Sequence, residues 1–152
     1  MRKTAVGKDK DRGKVEAKVV KELNASADAV FEILGDFQRL QPGGPIESVS
    51  YEGDGVGMVR TIHMTNGPVV ERLDVHDPAS RTFSYSIIND DGPLPFANYQ
   101  ARVVVTTLGD DKCSVDWTGT FDPRGVDEDA AINVATGIYA GGIKGARLAL
   151  GV

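Results

Sequence analysis

The chain has 152 residues, a formal net charge of −5, 41% apolar and 26% charged residues, and one cysteine, Cys113. That length favours one domain able to bury a substantial core. The composition is that of an ordinary globular protein, and a lone cysteine excludes an internal disulfide and a multi-cysteine zinc site.

Charge is unevenly placed. Residues 1–14, MRKTAVGKDKDRGK, hold six basic and two acidic residues, and the rest of the chain holds eleven basic and twenty acidic. An acidic body argues against nucleic acid as the main partner. The basic stretch reads as a short solvated tail, with an electrostatic tether as the other reading. No apolar segment stands behind it, so it is not expected to be a secretory signal. No apolar run approaches the ~18 residues of a membrane span. A cytoplasmic setting is the expectation, with residues 15–152 forming a single domain.

Residues 15–23 (VEAKVVKEL) suit a first strand. Ser26 then reads as a helix N-cap with Asp28 in the first turn. Val30, Phe31, Ile33, Leu34 and Phe37 follow at helical spacing, and QPGGP at 41–45 cannot continue a helix. Strands are expected at 46–51, 58–65, 69–76, 81–88, 98–107 and 113–121. The turns EGDGVG, Asn66-Gly67, DPAS and Gly109-Asp110-Asp111 fall between them, as in an antiparallel meander. The loop NDDGPLPF, 89–96, reads equally as a lid or as a hairpin loop stiffened by Pro93 and Pro95.

Residues 127–150 are helical in pattern, acidic at the start and carrying Lys144 and Arg147 near the end, as the helix dipole favours. The predicted apolar stripe is Ala131, Val134, Ala135, Ile138, Gly142, Gly145, Ala146 and Ala149. Gly137, Gly141, Gly142 and Gly145 each weaken a helix by about 1 kcal/mol relative to alanine. Either a close backbone approach or room for a ligand would explain them. The sum is an α+β fold: a curved antiparallel sheet of about seven strands wrapped around a long C-terminal helix, with a short helix or helices after the first strand.

In VVERLDV, 69–75, alternation puts Val69, Glu71, Leu73 and Val75 on one face. A carboxylate on an otherwise apolar face needs a partner. Arg60 on a nearby strand is one candidate and a ligand is another, and a paired carboxylate can still reach a ligand. The predicted inward residues are Arg60, Ile62 and Met64; Glu71 and Leu73; Phe83, Tyr85 and Ile87; Tyr99, Ala101, Val103 and Val105; and Val115, Trp117 and Phe121. An apolar lining with a few polar tips is the make-up of a small-molecule pocket.

Trp117 reads as core rather than as a stacking platform. Cys113 reads as inert packing, His63 as an outer-face residue and His76 as a turn residue. GDGVG lacks the Lys-Ser/Thr and the following helix of a phosphate cradle. Two histidines out of phase, with one cysteine, imply no metal site, and no cofactor is expected.

Several stretches together resemble a known superfamily: ASADAVFEILGDF (25–37), EGDGVGMVRT (52–61), VVERLDVHDPASRTFSYSI (69–87), PLPFANYQA (93–101), VDWTGTFDP (115–123) and GIYAGGI (137–143). They resemble the START-like, birch-pollen-allergen-like (SRPBCC) proteins of helix-grip fold, and most of all the bacterial polyketide cyclase/dehydrase-like members. The ERLD segment is also similar to that of the plant abscisic acid receptors. That resemblance implies a pocket-facing role for Glu71 and a pocket tyrosine at Tyr99. Two departures argue against a hormone receptor: a tight TNGP turn (65–68) replaces the gate loop, and the PGGP segment has no lysine.

The resemblance implies a small hydrophobic molecule, aromatic, polyketide-like or lipid-like, held between sheet and C-terminal helix. Its expected lining is Arg60, Ile62, Met64, Glu71, Leu73, Tyr85, Ile87, Tyr99, Ala101, Val134 and Ile138. The alternative is a cyclase/dehydratase-type enzyme with Glu71 as base and Tyr99 or Tyr85 as proton donor. A partner-interaction role would rest on the basic tail alone. The chain is expected to be a monomer or homodimer, with no nucleic-acid partner. The discriminating feature is whether Glu71 is paired (binding) or unpaired beside a tyrosine (proton transfer).

Overall fold

The computed structural model describes residues 15–152; the basic stretch 1–14 lies outside the described residues. Seven strands form one antiparallel sheet: β1 (Val15–Leu23), β2 (Ile46–Glu52), β3 (Val59–Met64), β4 (Gly67–Asp77), β5 (Thr82–Ile87), β6 (Phe96–Gly109) and β7 (Lys112–Pro123). Their spatial order is β1-β7-β6-β5-β4-β3-β2. Strands β2 to β7 thus meander, and β1 closes the sheet beside β7. The helices α1 (Ala27–Leu34) and α2 (Glu128–Leu150) complete the α+β helix-grip plan. Neither helix is long and apolar enough to cross a membrane.

The local signals for the helices act as their chemistry requires. The Ser26 hydroxyl accepts from Ala29 N at 3.1 Å, and Asp127 caps α2 by accepting from Ala130 N at 2.8 Å, each satisfying an orphan N–H. Helix α1 ends earlier than its apolar spacing suggests. Gly35 caps it through Phe31 O, so Phe37 belongs to the following segment rather than to the helix. α2 closes on Gly151, whose φ of 71° is left-handed, and Arg147 Nη2 pins its end to Glu22 O at the end of β1.

Two bulges re-aim side chains. In β4 the register with β5 shifts between Leu73 and Val75. Val69, Glu71 and Leu73 are buried as their alternation requires, but Val75 is 45% exposed, because an extra residue swaps the two faces. The same swap keeps His76 in the strand rather than in a turn, with its ring 5.2 Å from that of Phe31. In β6 the register slips between Ala97 and Gln100 around Asn98, whose φ is 53°. That brings Phe96 and Tyr99, three residues apart, to the same buried face.

Helix α2 packs on β1, β7 and α1. Its buried positions are Ala131, Ala135, Tyr139, Ile143 and Ala146, a stripe with Tyr139 at its centre. Of the expected stripe, Ala131, Ala135 and Ala146 are buried as expected, while Val134 and Ile138 are corrected to partly exposed positions, 38% and 41%, with Ile138 still bordering the cavity. Leu23, Val30, Val103, Val105, Cys113 and Val115 are fully enclosed in the core on which α1 packs.

Candidate functional site

Between α2 and strands β3 to β7 lies a cavity of about 490 Å³. Its sheet wall is Arg60, Ile62 and Met64 from β3, Val69 and Glu71 from β4, Phe83, Tyr85 and Ile87 from β5, Phe96 and Tyr99 from β6, and Trp117 from β7. Ile33, Leu34 and the segment through Phe37, Leu40 and Gln41 close one side. Ile138, Gly141, Gly142, Gly145 and Ala146 form the helix wall.

Glu71 is 7% exposed and faces Arg60 directly across the β3–β4 register. Arg60 Nε donates to Glu71 Oε1 at 2.7 Å, and Nη2 lies 2.7 Å from the same oxygen. Arg60 Nη1 donates to Phe37 O at 3.1 Å, and the guanidinium carbon stands 3.9 Å from the centroid of the Phe37 ring. Arginine has a fixed fork of donors and a flat face, and here both are engaged. No hydrogen bond reaches Glu71 Oε2 among the described residues, and no buried side-chain oxygen among them is orphaned. Oε2 therefore keeps access to the cavity that Glu71 lines.

A chain of hydrogen bonds runs behind that pair. Trp117 Nε1 donates to Tyr85 Oη at 3.3 Å, the hydroxyls of Tyr85 and Tyr99 are 3.4 Å apart, and those of Tyr99 and Tyr139 are 2.6 Å apart. Tyr139 stacks on Trp117 with ring centroids 5.1 Å apart. An added Cβ at Gly119 would overlap the Tyr139 hydroxyl, so only glycine admits that ring against β7. Burial holds the Tyr85 and Tyr99 phenols well above the usual value of 10, and the charge of Glu71 pushes Tyr85 further the same way. Burial raises Tyr139 to about 12. All three remain protonated donors near neutrality.

Of the expected lining, Arg60, Ile62, Met64, Glu71, Tyr85, Ile87, Tyr99 and Ile138 are brought together around the cavity. Leu73 and Ala101 are buried in the core away from it. Val134 is turned to the outer face of α2. Trp117 does both jobs, packing under α2 and lining the cavity. His63 is exposed, 3.3 Å from Ser50 Oγ, and Cys113 is buried.

Three groups escaped the sequence reading. Tyr139 was hidden by the choice of helical phase, although Ala131, Ala135, Tyr139 and Ile143 repeat every four residues. Phe96 was assigned to a loop. Phe37 was expected on the α1 stripe rather than in the cavity wall, and Leu40 lies beyond that stripe. The 89–96 loop is fastened rather than loose: Arg124 donates to the carbonyls of Asp90, Gly92 and Leu94, the last at 2.8 Å. Asn89 bonds Val70 N at 2.9 Å and Pro68 O at 2.9 Å.

Residues 14–150 match the family model for polyketide cyclase / dehydrase and lipid transport proteins. Over 93 residues, 57% of this chain, the sequence is 32% identical to pathogenesis-related protein B of Petroselinum crispum; the match spans 60% of that relative's length. The solved structure of the protein XoxI from Bacillus cereus superposes with a TM-score of 0.76 at 30% identity, over 90% of this chain and 95% of that one. Norcoclaurine synthase from Thalictrum flavum superposes with a TM-score of 0.68, over 92% of this chain and 88% of that one. At 18% identity that likeness is one of fold.

Proposed function

This chain belongs to the polyketide cyclase / dehydrase and lipid transport family, and we propose that within it the chain is a binding module. Residues 15–152 act as one ligand-binding domain that holds a small aromatic, polyketide-like or lipid-like molecule between sheet and α2. The observation that carries this reading is the pairing of Glu71. The cavity is walled mainly by apolar side chains, and its deepest charge is neutralised by Arg60. A concave, largely apolar space with a few fixed polar groups suits recognition and orientation of a ligand.

The open Oε2 of Glu71 favours a second reading, a cyclase/dehydratase-type step in which Glu71 takes a proton and Tyr85 or Tyr99 donates to the developing oxyanion. The norcoclaurine synthase likeness supports only that such a fold can carry an enzyme.

Native mass spectrometry of freshly purified protein, followed by solvent extraction, separates the readings. The binding module carries a reproducible extra mass that is lost on denaturation. Glu71→Gln keeps the fold, because an amide oxygen still accepts from Arg60. It lowers ligand occupancy or affinity about tenfold, by replacing the acceptor that faces the cavity with a donor. Unchanged capture by this variant would remove Glu71 from the site. A clean apo mass together with turnover of an aromatic polyketide-like substrate would favour the enzyme.

A further inference from the structure

The hydrogen-bond chain behind the cavity has a donor too many. The Trp117 indole can only donate, and each phenol carries one O–H. Trp117, Tyr85, Tyr99 and Tyr139 therefore bring four donors to three hydrogen bonds. Each bond uses one donor, so one phenolic O–H is left over however the hydroxyls rotate. No backbone carbonyl or other side chain among the described residues accepts from any of the three hydroxyls. Tyr139 is 0% exposed, whereas Tyr85 and Tyr99 line the cavity. Rotating the hydroxyls moves the surplus O–H along the chain, and an acceptor in the cavity draws it to Tyr85 or Tyr99.

The charge at that depth points the same way. Among the described residues Arg60 is the one buried or half-buried cation on the cavity wall, and it is engaged by Glu71, by Phe37 O and by the Phe37 ring. Asp36 and Arg39, of opposite sign, are the exposed ionic groups of the lining. An anionic ligand head would find no free cation inside among the described residues, and Glu71 would repel it. A neutral oxygen can take the surplus O–H without that desolvation penalty.

We propose that the cavity selects uncharged molecules that present a carbonyl oxygen on an aromatic body, and discriminates against carboxylates of the same shape. This rests on the binding reading above and narrows it to a ligand class. The carbonyl accepts the surplus O–H at the tyrosine wall, and the aromatic body fills the apolar space towards α2.

The test uses three probes of nearly equal shape: 2-acetylnaphthalene, 2-naphthoate and 2-ethylnaphthalene. Each is titrated into the whole protein by calorimetry. The single indole N–H resonance, from Trp117, reports occupancy of this cavity. The ketone should bind about tenfold more tightly than the ethyl compound, and more tightly still than the carboxylate. In Tyr85→Phe/Tyr99→Phe the ketone's advantage over the ethyl compound should fall to within about twofold. Tyr51→Phe, whose hydroxyl bonds Leu40 O outside the chain, should retain it.

Equal or tighter binding of 2-naphthoate, or no advantage of ketone over ethyl in the unaltered protein, would overturn the inference while leaving the pocket standing. That result comes from the unaltered protein and does not depend on how the double variant folds. If no probe moves the Trp117 resonance, the binding reading falls and this inference with it.

Discussion

The two flanks of α2 use the same residue for opposite ends. On the flank towards β7, Gly142 lets the helix lie on Trp117: an added Cβ would stand 2.7 Å from a carbon of the indole ring. On the other side, a Cβ at Gly141 or Gly145 would meet nothing within 4 Å, yet both glycines border the cavity. One glycine is there because the backbone is close to something. Gly141 and Gly145 are exposed at the cavity's edge, where no atom stands over them. Composition alone cannot tell these apart, since glycine's helix penalty is the same at each.

Alkali gives the largest expected effect, because it strains both flanks together. Burial raises the phenols of Tyr51, Tyr85, Tyr99 and Tyr139 above 10. A folded-state value above the unfolded one means this stabilisation is whole below pH 10 and is lost as the pH rises towards 12 and beyond. The phenolate ultraviolet band should therefore appear in one cooperative step that coincides with loss of circular dichroism. Titration of two phenols near pH 10 with the fold intact would mean that water reaches the Tyr85–Tyr99 wall freely.

Arg60→Leu comes next and tests the hollow flank. It leaves Glu71 buried without a cation and should cost about 3–5 kcal/mol in urea denaturation. A loss under about 1 kcal/mol would mean that cavity water satisfies the carboxylate unaided.

Gly142→Ala tests the packed flank. Overpacking against Trp117 costs about 1–3 kcal/mol, against a helix gain of about 1 kcal/mol. A net loss with a shift in Trp117 fluorescence is expected. Gly141→Ala should have the smallest effect and the opposite sign, a gain of up to about 1 kcal/mol, read as a higher midpoint of thermal unfolding. Equal effects at the two positions would erase the distinction between the flanks.

Most of the architecture was legible because it is written in local patterns. The Ser26 cap, the acidic start of α2, the Asn66-Gly67 hairpin and the alternation in β3, β5 and β7 each depend on near neighbours in the chain. The need for a partner at Glu71 was legible for the same reason, whereas alternation leaves open whether Arg60 or a ligand supplies it. The misplacements fall where one residue changes phase. The bulge in β4 turned Val75 outward and brought His76 beside Phe31. The bulge at Asn98 made Phe96 part of the wall. On α2, the expected stripe held Ala131, Ala135 and Ala146, which are buried, but ran through Val134 and missed Tyr139 and Ile143.

By itself, then, the sequence determined the order of elements, their amphipathic faces and the presence of a carboxylate that needed a partner. Tertiary structure alone decided which stripe of α2 faces inward, and it did so through Gly119 and Gly142, which make room for Tyr139 and Trp117. It also decided that the phenols of Tyr85, Tyr99 and Tyr139 meet. The reason is physical. Periodicity and capping are set within a few residues, whereas a hydrogen bond between β6 and α2 joins side chains 40 positions apart. Its formation depends on how the whole sheet closes around the helix.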